Sequence, residues 1–311
     1  MNILLAADFS PDEWATWMPA LQALLPADAL LRERGTVPAD EIEVAIVANP
    51  PAGALAGLRR LRLVQSLWAG VERLLDDPTV PPEVPLARMV DPAMSEAMAE
   101  TALWAVLAVQ RDFFDYARQQ REQRWAPLPQ RAARDLSVTV LGLGQMGATV
   151  ATRLVDNGYR VHGWSTRPAA LLGVRTHAGE AGLREALSRA EVLVNLLPLT
   201  ASTRGLLDAR RLGWLPRGAS LVNLARGAHV VEADLLAALD RGHLRQAVLD
   251  VFAIEPLPAD HRFWSHPRVA VLPHVAAQTD PASAAAVVAA NVNALRAGRP
   301  LQHLVDRGRF Y

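Results

Sequence analysis

Short apolar runs alternate with amphipathic stretches along the chain, and each change of period marks a predicted element. In the first third of the chain the predicted strands are Asn2–Ala6, Glu43–Val47, Arg62–Gln65 and Pro85–Arg88, and the predicted helices are Asp12–Leu25 and Val71–Leu75. Further on, the predicted strands are Ser137–Leu141, Arg160–Trp164, Val192–Leu196, Ser220–Asn223, Gln246–Val251 and Val269–Leu272. The predicted helices of that part are Gln145–Asn157, Leu183–Arg189, Ala209–Trp214, Glu232–Asp240 and Pro281–Ala297. Strands that alternate with helices are typical of parallel sheets, so the pattern predicts an α/β fold with doubly wound sheets.

One long helix is predicted over Ser95–Gln120. Ser95 is a suitable N-cap, and the acidic Glu96 and Glu100 follow where the helix dipole favours them. The first half of this helix is apolar nearly all round, which predicts that it is buried. The following segment, Arg118–Arg134, is polar and interrupted by proline, and we predict that it is an exposed arm.

The length of 311 residues is enough for two domains at about 150 residues each. We predict a discontinuous first domain of residues 1–98 and 283–311, with a second domain of residues 99–282 inserted into it. The final predicted helix would return the chain to the first domain.

The composition excludes several kinds of chemistry. All 32 basic side chains are arginine, because the chain contains neither lysine nor cysteine. Lysine Schiff bases, P-loop lysines, disulfides and cysteine-ligated metals are therefore excluded, and we expect no metal site. The 32 acidic side chains balance the basic ones, which argues against nucleic acid as the main partner. Because no apolar stretch approaches the ~18 residues of a membrane helix, and no signal peptide is recognisable, we expect a cytoplasmic protein without a membrane partner.

A glycine-rich motif, Gly142-Leu-Gly144-Gln145-Met146-Gly147, lies directly between a predicted strand and a predicted helix. Gly142 permits the tight turn, Gly144 lets the backbone approach a pyrophosphate, and Gly147 lets the helix pack closely on the strand. Free backbone N–H groups at the N-terminus of the helix, including those of Gln145 and Met146, would bind the phosphates. This strand–turn–helix context favours a dinucleotide site over an ordinary glycine-rich turn.

The residues after the next predicted strand bear on the choice of dinucleotide. NAD-binding units carry an acid about 20 residues beyond the glycine motif, where it holds the ribose 2′-hydroxyl. In this chain residues 161–168 contain no acid and offer Ser165, Thr166 and Arg167 instead. These side chains suit a 2′-phosphate, so we predict that NADPH is preferred and that NADH is possible. The alternative is that Arg167 is only a solvated turn residue.

Arg226, Glu255 and His274 each come just after a predicted strand. Ligands of open parallel sheets bind outside the carboxyl ends of the strands, so these three residues are candidates for one site. A 2-oxo acid needs a guanidinium for its carboxylate and carbonyl, and an acid to protonate the oxygen that hydride attack makes basic. An imidazole backed by a carboxylate supplies that acid near neutral pH. His229, which is close to Arg226 in sequence, is expected to be structural.

Four motifs, taken in their order along the chain, resemble those of the D-isomer-specific 2-hydroxyacid dehydrogenases. They are the glycine motif, Asn223-Leu-Ala-Arg226-Gly, Asp250-Val-Phe-Ala-Ile-Glu255-Pro and Pro273-His274-Val-Ala. Other stretches resemble the glyoxylate and hydroxypyruvate reductases of that family, namely Ser66-Leu-Trp-Ala-Gly-Val-Glu72, Trp125-Ala-Pro-Leu-Pro129, Trp164-Ser165, Asn195-Leu-Leu-Pro-Leu-Thr200 and His229-Val-Val-Glu-Ala-Asp-Leu-Leu236. The resemblance spans roughly residues 67–278. It implies a Rossmann cofactor domain inserted in a flavodoxin-like substrate domain.

The resemblance also implies roles for the residues that bind substrate. Arg226 would bind the carboxylate and carbonyl of the substrate, and Glu255 would orient His274, the proton donor. The loop Trp68-Ala69-Gly70 would offer backbone N–H groups to the carboxylate, with the Trp68 ring as one wall of the pocket.

A second set of residues would bind the cofactor. Asp250 would hold the nicotinamide carboxamide, and Leu197 and Pro198 would lie along the adenosine. Leu224 and Ala225 would complete the surface that binds the cofactor.

These observations predict an NADPH-dependent reductase that converts a small 2-oxo acid, glyoxylate or hydroxypyruvate, into the D-2-hydroxy acid. One alternative is a dehydrogenase for a bulkier 2-oxo acid, and another is a non-catalytic dinucleotide-sensing protein. The presence of Arg226, Glu255 and His274 together favours the enzyme. We also expect a homodimer formed through the apolar helix Ala97–Val109 and the arm that carries Trp125.

Overall fold

The computed structural model describes residues 1–308, which form two compact units. The first unit comprises residues 1–94 together with the segment that begins at residue 279, and the second comprises residues 95–278. The two boundaries between the units, 94/95 and 278/279, each lie a few residues before the predicted domain boundaries, 98/99 and 282/283. The last three residues of the predicted segment 283–311 lie outside the described residues.

The elements of the described residues follow in chain order. The strands are β1 Asn2–Ala7, β2 Ala29–Leu31, β3 Ile42–Ala48, β4 Leu63–Ser66, β5 Leu86–Ala87, β6 Ser137–Leu141, β7 Arg160–Ser165, β8 Val174–Ala178, β9 Val192–Asn195, β10 Ala219–Asn223, β11 Leu244–Leu249 and β12 Val269–Val271. The helices are α1 Pro11–Leu24, α2 Glu72–Asp76, α3 Pro92–Gln110, α4 Phe113–Arg121, α5 Gln145–Asp156, α6 Gly179–Ser188, α7 Ala209–Leu212, α8 Glu232–Asp240 and α9 Pro281–Arg296.

The first unit contains a five-stranded parallel sheet in the order β2-β1-β3-β4-β5. This is the flavodoxin-like order of a doubly wound sheet. Its helix α1 begins one residue earlier than predicted, because Ser10 and Glu13 form a capping box and Pro11 occupies the first helical position. Helix α9 packs against α1, so the final helix belongs to this unit. The sequence pattern missed the three-residue strand β2.

The second unit contains a seven-stranded parallel sheet in the order β12-β11-β10-β9-β6-β7-β8. Strand β6 lies between β7 and β9. From β6 to β8 the strands are added on one side of the sheet, and from β9 to β12 they are added on the other side, so the direction of addition reverses next to β6. Such a reversal opens a crevice at the carboxyl ends of the strands, as in the Rossmann fold. The predicted α/β class with two doubly wound sheets is confirmed. Strand β8 was not predicted, because Val174-Arg-Thr-His-Ala178 is only half apolar and lies at the sheet edge.

The prediction of one long helix over residues 95–120 is wrong. Helix α3 begins at Pro92, where Oδ1 of Asp91 accepts the Ala93 N–H over 3.0 Å, so Ser95 is an interior residue and not the N-cap. The helix ends at Gln110, and Asp112 then takes a left-handed conformation with φ 58° before α4 starts. The predicted burial is also incomplete, because Trp104 is 44% exposed.

Candidate functional site

The turn between β6 and α5 has the backbone geometry that a dinucleotide pyrophosphate requires. Gly142 has φ +93°, and a Cβ there would lie 2.7 Å from the Leu196 carbonyl oxygen. A Cβ at Gly147 would lie 1.7 Å from the Gly142 carbonyl oxygen, so only glycine permits this close approach. At Gly144, in contrast, a Cβ would meet nothing within 4 Å. No side chain caps α5 at Gly144, and the N–H groups of Gln145 and Met146 in its first turn have no acceptor within residues 1–308. These residues fit the phosphates of a dinucleotide.

The end of β7 carries the residues predicted to select the dinucleotide. The Ser165 hydroxyl donates to the Arg167 carbonyl oxygen over 2.6 Å and so closes the turn. The Arg167 side chain is exposed and has no ion-pair partner among residues 1–308, and Thr166 is exposed beside it. Trp164 lies buried below this turn, where its indole N–H donates to the Gly179 carbonyl oxygen over 2.8 Å. An exposed cation without a nearby acid fits a 2′-phosphate.

The other predicted cofactor residues lie at the ends of β9, β10 and β11. Leu197, Leu224 and Ala225 are buried, and Pro198 is half buried. The buried Asp250 carboxylate accepts N–H groups from Val275 over 2.7 Å and from Ala276 over 3.1 Å, so it holds the turn after β12. Burial raises the pKa of Asp250, against the effect of these two N–H groups.

Arg226, Glu255 and His274 come together at the carboxyl ends of β10, β11 and β12. Nδ1 of His274 lies 2.7 Å from Oε2 of Glu255, and the other carboxylate oxygen accepts the Phe252 N–H over 2.8 Å. Nη1 of Arg226 donates to the Ala225 carbonyl oxygen over 2.7 Å, and the charge of this guanidinium acts on both Glu255 and His274. Because Nδ1 faces Glu255, Nε2 is the nitrogen available to a substrate.

The two members of the His274–Glu255 pair shift each other's pKa in opposite directions. The hydrogen bond and the charge of Glu255 raise the pKa of His274, against burial and the positive charge of Arg226. Burial favours the neutral form of Glu255, but its hydrogen bonds to His274 and Phe252, together with nearby positive charge, lower its pKa overall. The pair therefore favours an imidazolium beside a carboxylate, which is the protonation state of a general acid.

A histidine beside a carboxylate does not by itself mark the site, since three other pairs occur among the described residues. His177 lies 3.5 Å from Glu185, His261 lies 3.3 Å from Glu232, and His266 lies 3.2 Å from Asp240. His274 differs from these histidines because it follows a strand at the carboxyl edge of the sheet, where Arg226 follows a second strand.

Two residues to which the sequence analysis assigned no role, although both lie in the quoted motifs, support the loop that carries Glu255. A Cβ at Gly227 would lie 1.9 Å from the carbonyl carbon of Phe252, so the backbone after Arg226 packs directly on this loop. Oε1 of Glu232 accepts the Ala253 N–H over 3.3 Å. The close contact of Gly227 could have been suspected from its place directly after Arg226, whereas nothing local indicated Glu232.

The loop Trp68-Ala69-Gly70 follows β4 in the first unit. The Trp68 N–H donates to the Ser66 hydroxyl over 3.0 Å, so it is already engaged, whereas those of Ala69 and Gly70 have no acceptor within residues 1–308. The Trp68 ring lies edge-on to Phe9 and Trp17. Its indole Nε1 is buried and finds no hydrogen-bond partner among the described residues. This loop thus presents two unused backbone donors and one unused side-chain donor.

Neither a bilayer-spanning helix nor a metal-binding cluster occurs in the described part of the chain. No helix within residues 1–308 has the length and apolar character to cross a bilayer. The same residues contain no group of three or more histidine and acidic side chains arranged to hold a metal ion.

Comparison with known proteins agrees with these features. The family model described as D-isomer specific 2-hydroxyacid dehydrogenase, NAD binding domain, matches residues 103–276. Glyoxylate/hydroxypyruvate reductase A of Escherichia fergusonii is 43% identical, and the match covers 100% of both chains. A D-isomer specific 2-hydroxyacid dehydrogenase from Xanthobacter autotrophicus Py2, solved with NADPH and MES, has a TM-score of 0.95 at 40% identity and covers 100% of this chain and 99% of its own.

A second solved structure, the NADPH-dependent glyoxylate/hydroxypyruvate reductase of Sinorhizobium meliloti with NADP and sulfate, has a TM-score of 0.92 at 34% identity over 100% of this chain and 99% of its own. The predicted family is therefore confirmed. The chain belongs to the D-isomer specific 2-hydroxyacid dehydrogenases and is an NAD(P)-dependent oxidoreductase.

Proposed function

We propose that this enzyme reduces a small 2-oxo acid, with glyoxylate and hydroxypyruvate as the leading substrates, to the D-2-hydroxy acid and that it uses NADPH. The observation that carries the proposal is the His274–Glu255 pair, 2.7 Å apart, with the positive charge of Arg226 beside it. The relatives named as glyoxylate/hydroxypyruvate reductases and the structures solved with NADPH or NADP support the choice of substrate and cofactor.

The chemistry divides among the three residues. When bound, NADPH supplies the hydride. Arg226 binds the substrate carboxylate and polarises the carbonyl, which makes the carbonyl carbon a better hydride acceptor. His274 donates its Nε2 proton to the carbonyl oxygen as negative charge develops there, and Glu255 stabilises the imidazolium before the transfer. The N–H groups of Ala69 and Gly70, with Trp68 beside them, are proposed further ligands of the carboxylate.

A panel of 2-oxo acids tests the function. We expect the highest kcat/KM with glyoxylate or hydroxypyruvate and lower values with phenylpyruvate and other bulky 2-oxo acids, measured by nicotinamide absorbance with NADPH and with NADH. A preference for the bulky acids would contradict the proposed substrate. Binding of NADPH without turnover of any acid would contradict the proposed reaction.

Replacement of Arg167 by alanine tests the cofactor preference. A charge-assisted hydrogen bond contributes about 1.5–3 kcal/mol, so one contact with the 2′-phosphate predicts a roughly ten- to hundredfold preference for NADPH. Arg167→Ala should remove most of this preference by weakening NADPH, with NADH nearly unaffected. Ser165→Asp should begin to favour NADH, because a carboxylate repels the phosphate and can bind the ribose diol. Equal kcat/KM for both cofactors in the wild-type enzyme would show that Arg167 is only a turn residue.

Replacement of Glu255 by glutamine tests the pH dependence. Reduction requires protonated His274, so kcat for reduction should fall as the pH rises through the raised pKa of that imidazole. Glu255→Gln removes the negative charge that raises this pKa, and the fall should therefore move to lower pH. The measurement is a kcat–pH profile for both proteins, with Asp240→Asn as the control, since that carboxylate pairs with His266 instead. An unshifted profile in Glu255→Gln would mean that Glu255 does not set the protonation of His274.

The apolar side chains on α3, α4 and the following segment support the proposed homodimer. Trp104, Phe113 and Trp125 are 44%, 54% and 98% exposed, and Trp104 lies edge-on to Phe114. A second copy of this chain would cover these side chains and so remove their exposed apolar surface from contact with water. Light scattering should give about twice 33.7 kDa, and Trp104→Glu should reduce the mass to that of one chain. Leu172→Glu, at a position that is 94% exposed elsewhere on the second unit, is the control.

A monomeric wild-type protein would contradict the homodimer. The cytoplasmic location stays a prediction.

A further inference from the structure

A buried network of three polar side chains connects two neighbouring strands to the segment that carries Arg226. Asn195 and Asn223 are the last residues of β9 and β10, and the register of these strands places them opposite each other. The Asn195 amide nitrogen donates to Oδ1 of Asn223 over 2.9 Å and lies 3.0 Å from Nδ1 of His229. All three side chains are almost completely buried, so each polar atom requires a partner inside the protein.

The partners of His229 define one arrangement of its protons. An amide nitrogen only donates, so Nδ1 of His229 must accept from Asn195 and carries no proton. Nε2 then carries the proton and donates to the Pro198 carbonyl oxygen over 3.2 Å. Asn195 also accepts the Leu197 N–H on Oδ1 over 3.3 Å. A buried network whose donors and acceptors match in this way holds its members rigidly.

The network ends on the main chain of Arg226. Nδ2 of Asn223 donates to the Arg226 carbonyl oxygen over 3.1 Å, and the His229 backbone N–H donates to the same oxygen over 3.2 Å. Oδ1 of Asn223 accepts the Ala225 N–H over 3.4 Å. The backbone on both sides of Arg226 is therefore fixed by buried groups.

We propose that His229 is a positioning residue for Arg226, beyond the structural role expected from the sequence. Its imidazole fixes the Asn195 amide, Asn195 fixes Asn223, and Asn223 fixes the carbonyl of Arg226. The inference rests on the proposed function, in which Arg226 binds the substrate carboxylate. Positioning matters there because a displacement of about 1 Å from productive geometry can cost roughly a hundredfold in rate.

Two substitutions test the hydrogen bonds of the two imidazole nitrogens of His229 one at a time. The amide nitrogen of a glutamine reaches the position of Nε2, whereas the amide oxygen of an asparagine reaches that of Nδ1. His229→Gln therefore keeps the donor to Pro198 and loses the acceptor for Asn195, and His229→Asn does the reverse. Each variant loses one buried hydrogen bond, so we expect similar falls in melting temperature, and stability alone cannot separate the two variants.

The proposal predicts that the two variants differ in function. We expect kcat/KM for glyoxylate to fall about 10- to 100-fold in His229→Gln and less than about threefold in His229→Asn. Oxalate is a carboxylate ligand that is not reduced. The affinity of the NADP-loaded enzyme for oxalate should fall more in His229→Gln than in His229→Asn. In an Arg226→Ala background, His229→Gln should add no further loss, because its effect acts through Arg226. Equal losses in both variants, or a full additional loss in the Arg226→Ala background, would overturn the proposal.

Amide hydrogen exchange without any ligand distinguishes this proposal from the proposed function. The amides of residues 225 and 229 should exchange faster in His229→Gln than in His229→Asn, because both take part in the network. If the wild-type enzyme reduces no 2-oxo acid and this difference is still present, the proposed function fails and the positioning of Arg226 stands. If the wild-type enzyme is active and the difference is absent, the positioning proposal fails.

Discussion

Replacement of Arg226 by alanine is expected to lower kcat/KM for 2-oxo acids by about 10²–10⁴-fold. The guanidinium is proposed to meet both the carboxylate and the polarised carbonyl of the substrate. Two charge-assisted hydrogen bonds at about 1.5–3 kcal/mol each give roughly this factor at about 1.4 kcal/mol per tenfold. Steady-state kinetics with glyoxylate and hydroxypyruvate measure the effect. Most of the loss should appear in kcat, because the contact with the carbonyl strengthens as negative charge develops there.

Two further observations test the assignment of Arg226. Arg226→Lys should restore only part of the activity, because an ammonium cannot reproduce the planar two-point contact of a guanidinium. The positive charge of Arg226 lowers the pKa of His274, so its removal should move the fall of the reduction rate to higher pH. A raised KM with unchanged kcat would instead mean that Arg226 binds ground state and transition state equally.

The sequence predicted those parts of the fold that local constraints determine. The turn after β6 needs glycine at residue 142, where φ is +93°, and at residue 147, where a Cβ would meet a carbonyl oxygen. Buried parallel strands are nearly continuous apolar runs, so β1, β3 and β9 were recognisable from composition alone. The start of α3 also has a local signal, because Asp91-Pro92 combines an N-capping side chain with proline in the first turn.

The break between α3 and α4 could not be predicted from the residues around it, and the contacts that accompany it come from a residue far away in the sequence. No residue near Asp112 disfavours a helix strongly, yet Asp112 and Asp115 both form ion pairs with Arg245 on β11. The exposure of Trp104 was unpredictable for a similar reason. An apolar helix face has the same pattern whether it packs on its own domain or is left for a partner.

The residues of the candidate site also divide into those that the sequence could predict and those that it could not. Arg226, Glu255 and His274 were predictable because each follows a strand, and the carboxyl ends of parallel strands meet at one edge. The role of His229 depends on contacts with Asn195 and Pro198, which are more than thirty residues away in the chain. A single sequence shows neither that this imidazole is buried nor which groups face its two nitrogens.

Replacement of His274 by asparagine is expected to lower kcat for reduction by about 10²–10⁴-fold, the usual contribution of a general acid. Asparagine is the suitable substitute because His274 has φ 56°, a left-handed conformation that asparagine tolerates better than most residues. Affinity for NADPH, measured by fluorescence titration, should stay close to that of the wild-type enzyme, since the phosphates are expected to bind at residues 142–147.

The pH profile gives the sharper test of His274. In His274→Asn the remaining activity should no longer fall through the raised pKa of this imidazole, because no proton donor titrates there. His266→Asn is the matched control, since that imidazole also faces a carboxylate, Asp240, but has no proposed contact with substrate. It should keep both the rate and the pH dependence of the wild-type enzyme. A loss of less than tenfold in His274→Asn, with the pH dependence unchanged, would mean that another group or a water molecule protonates the carbonyl oxygen, and His274 would lose its assigned role.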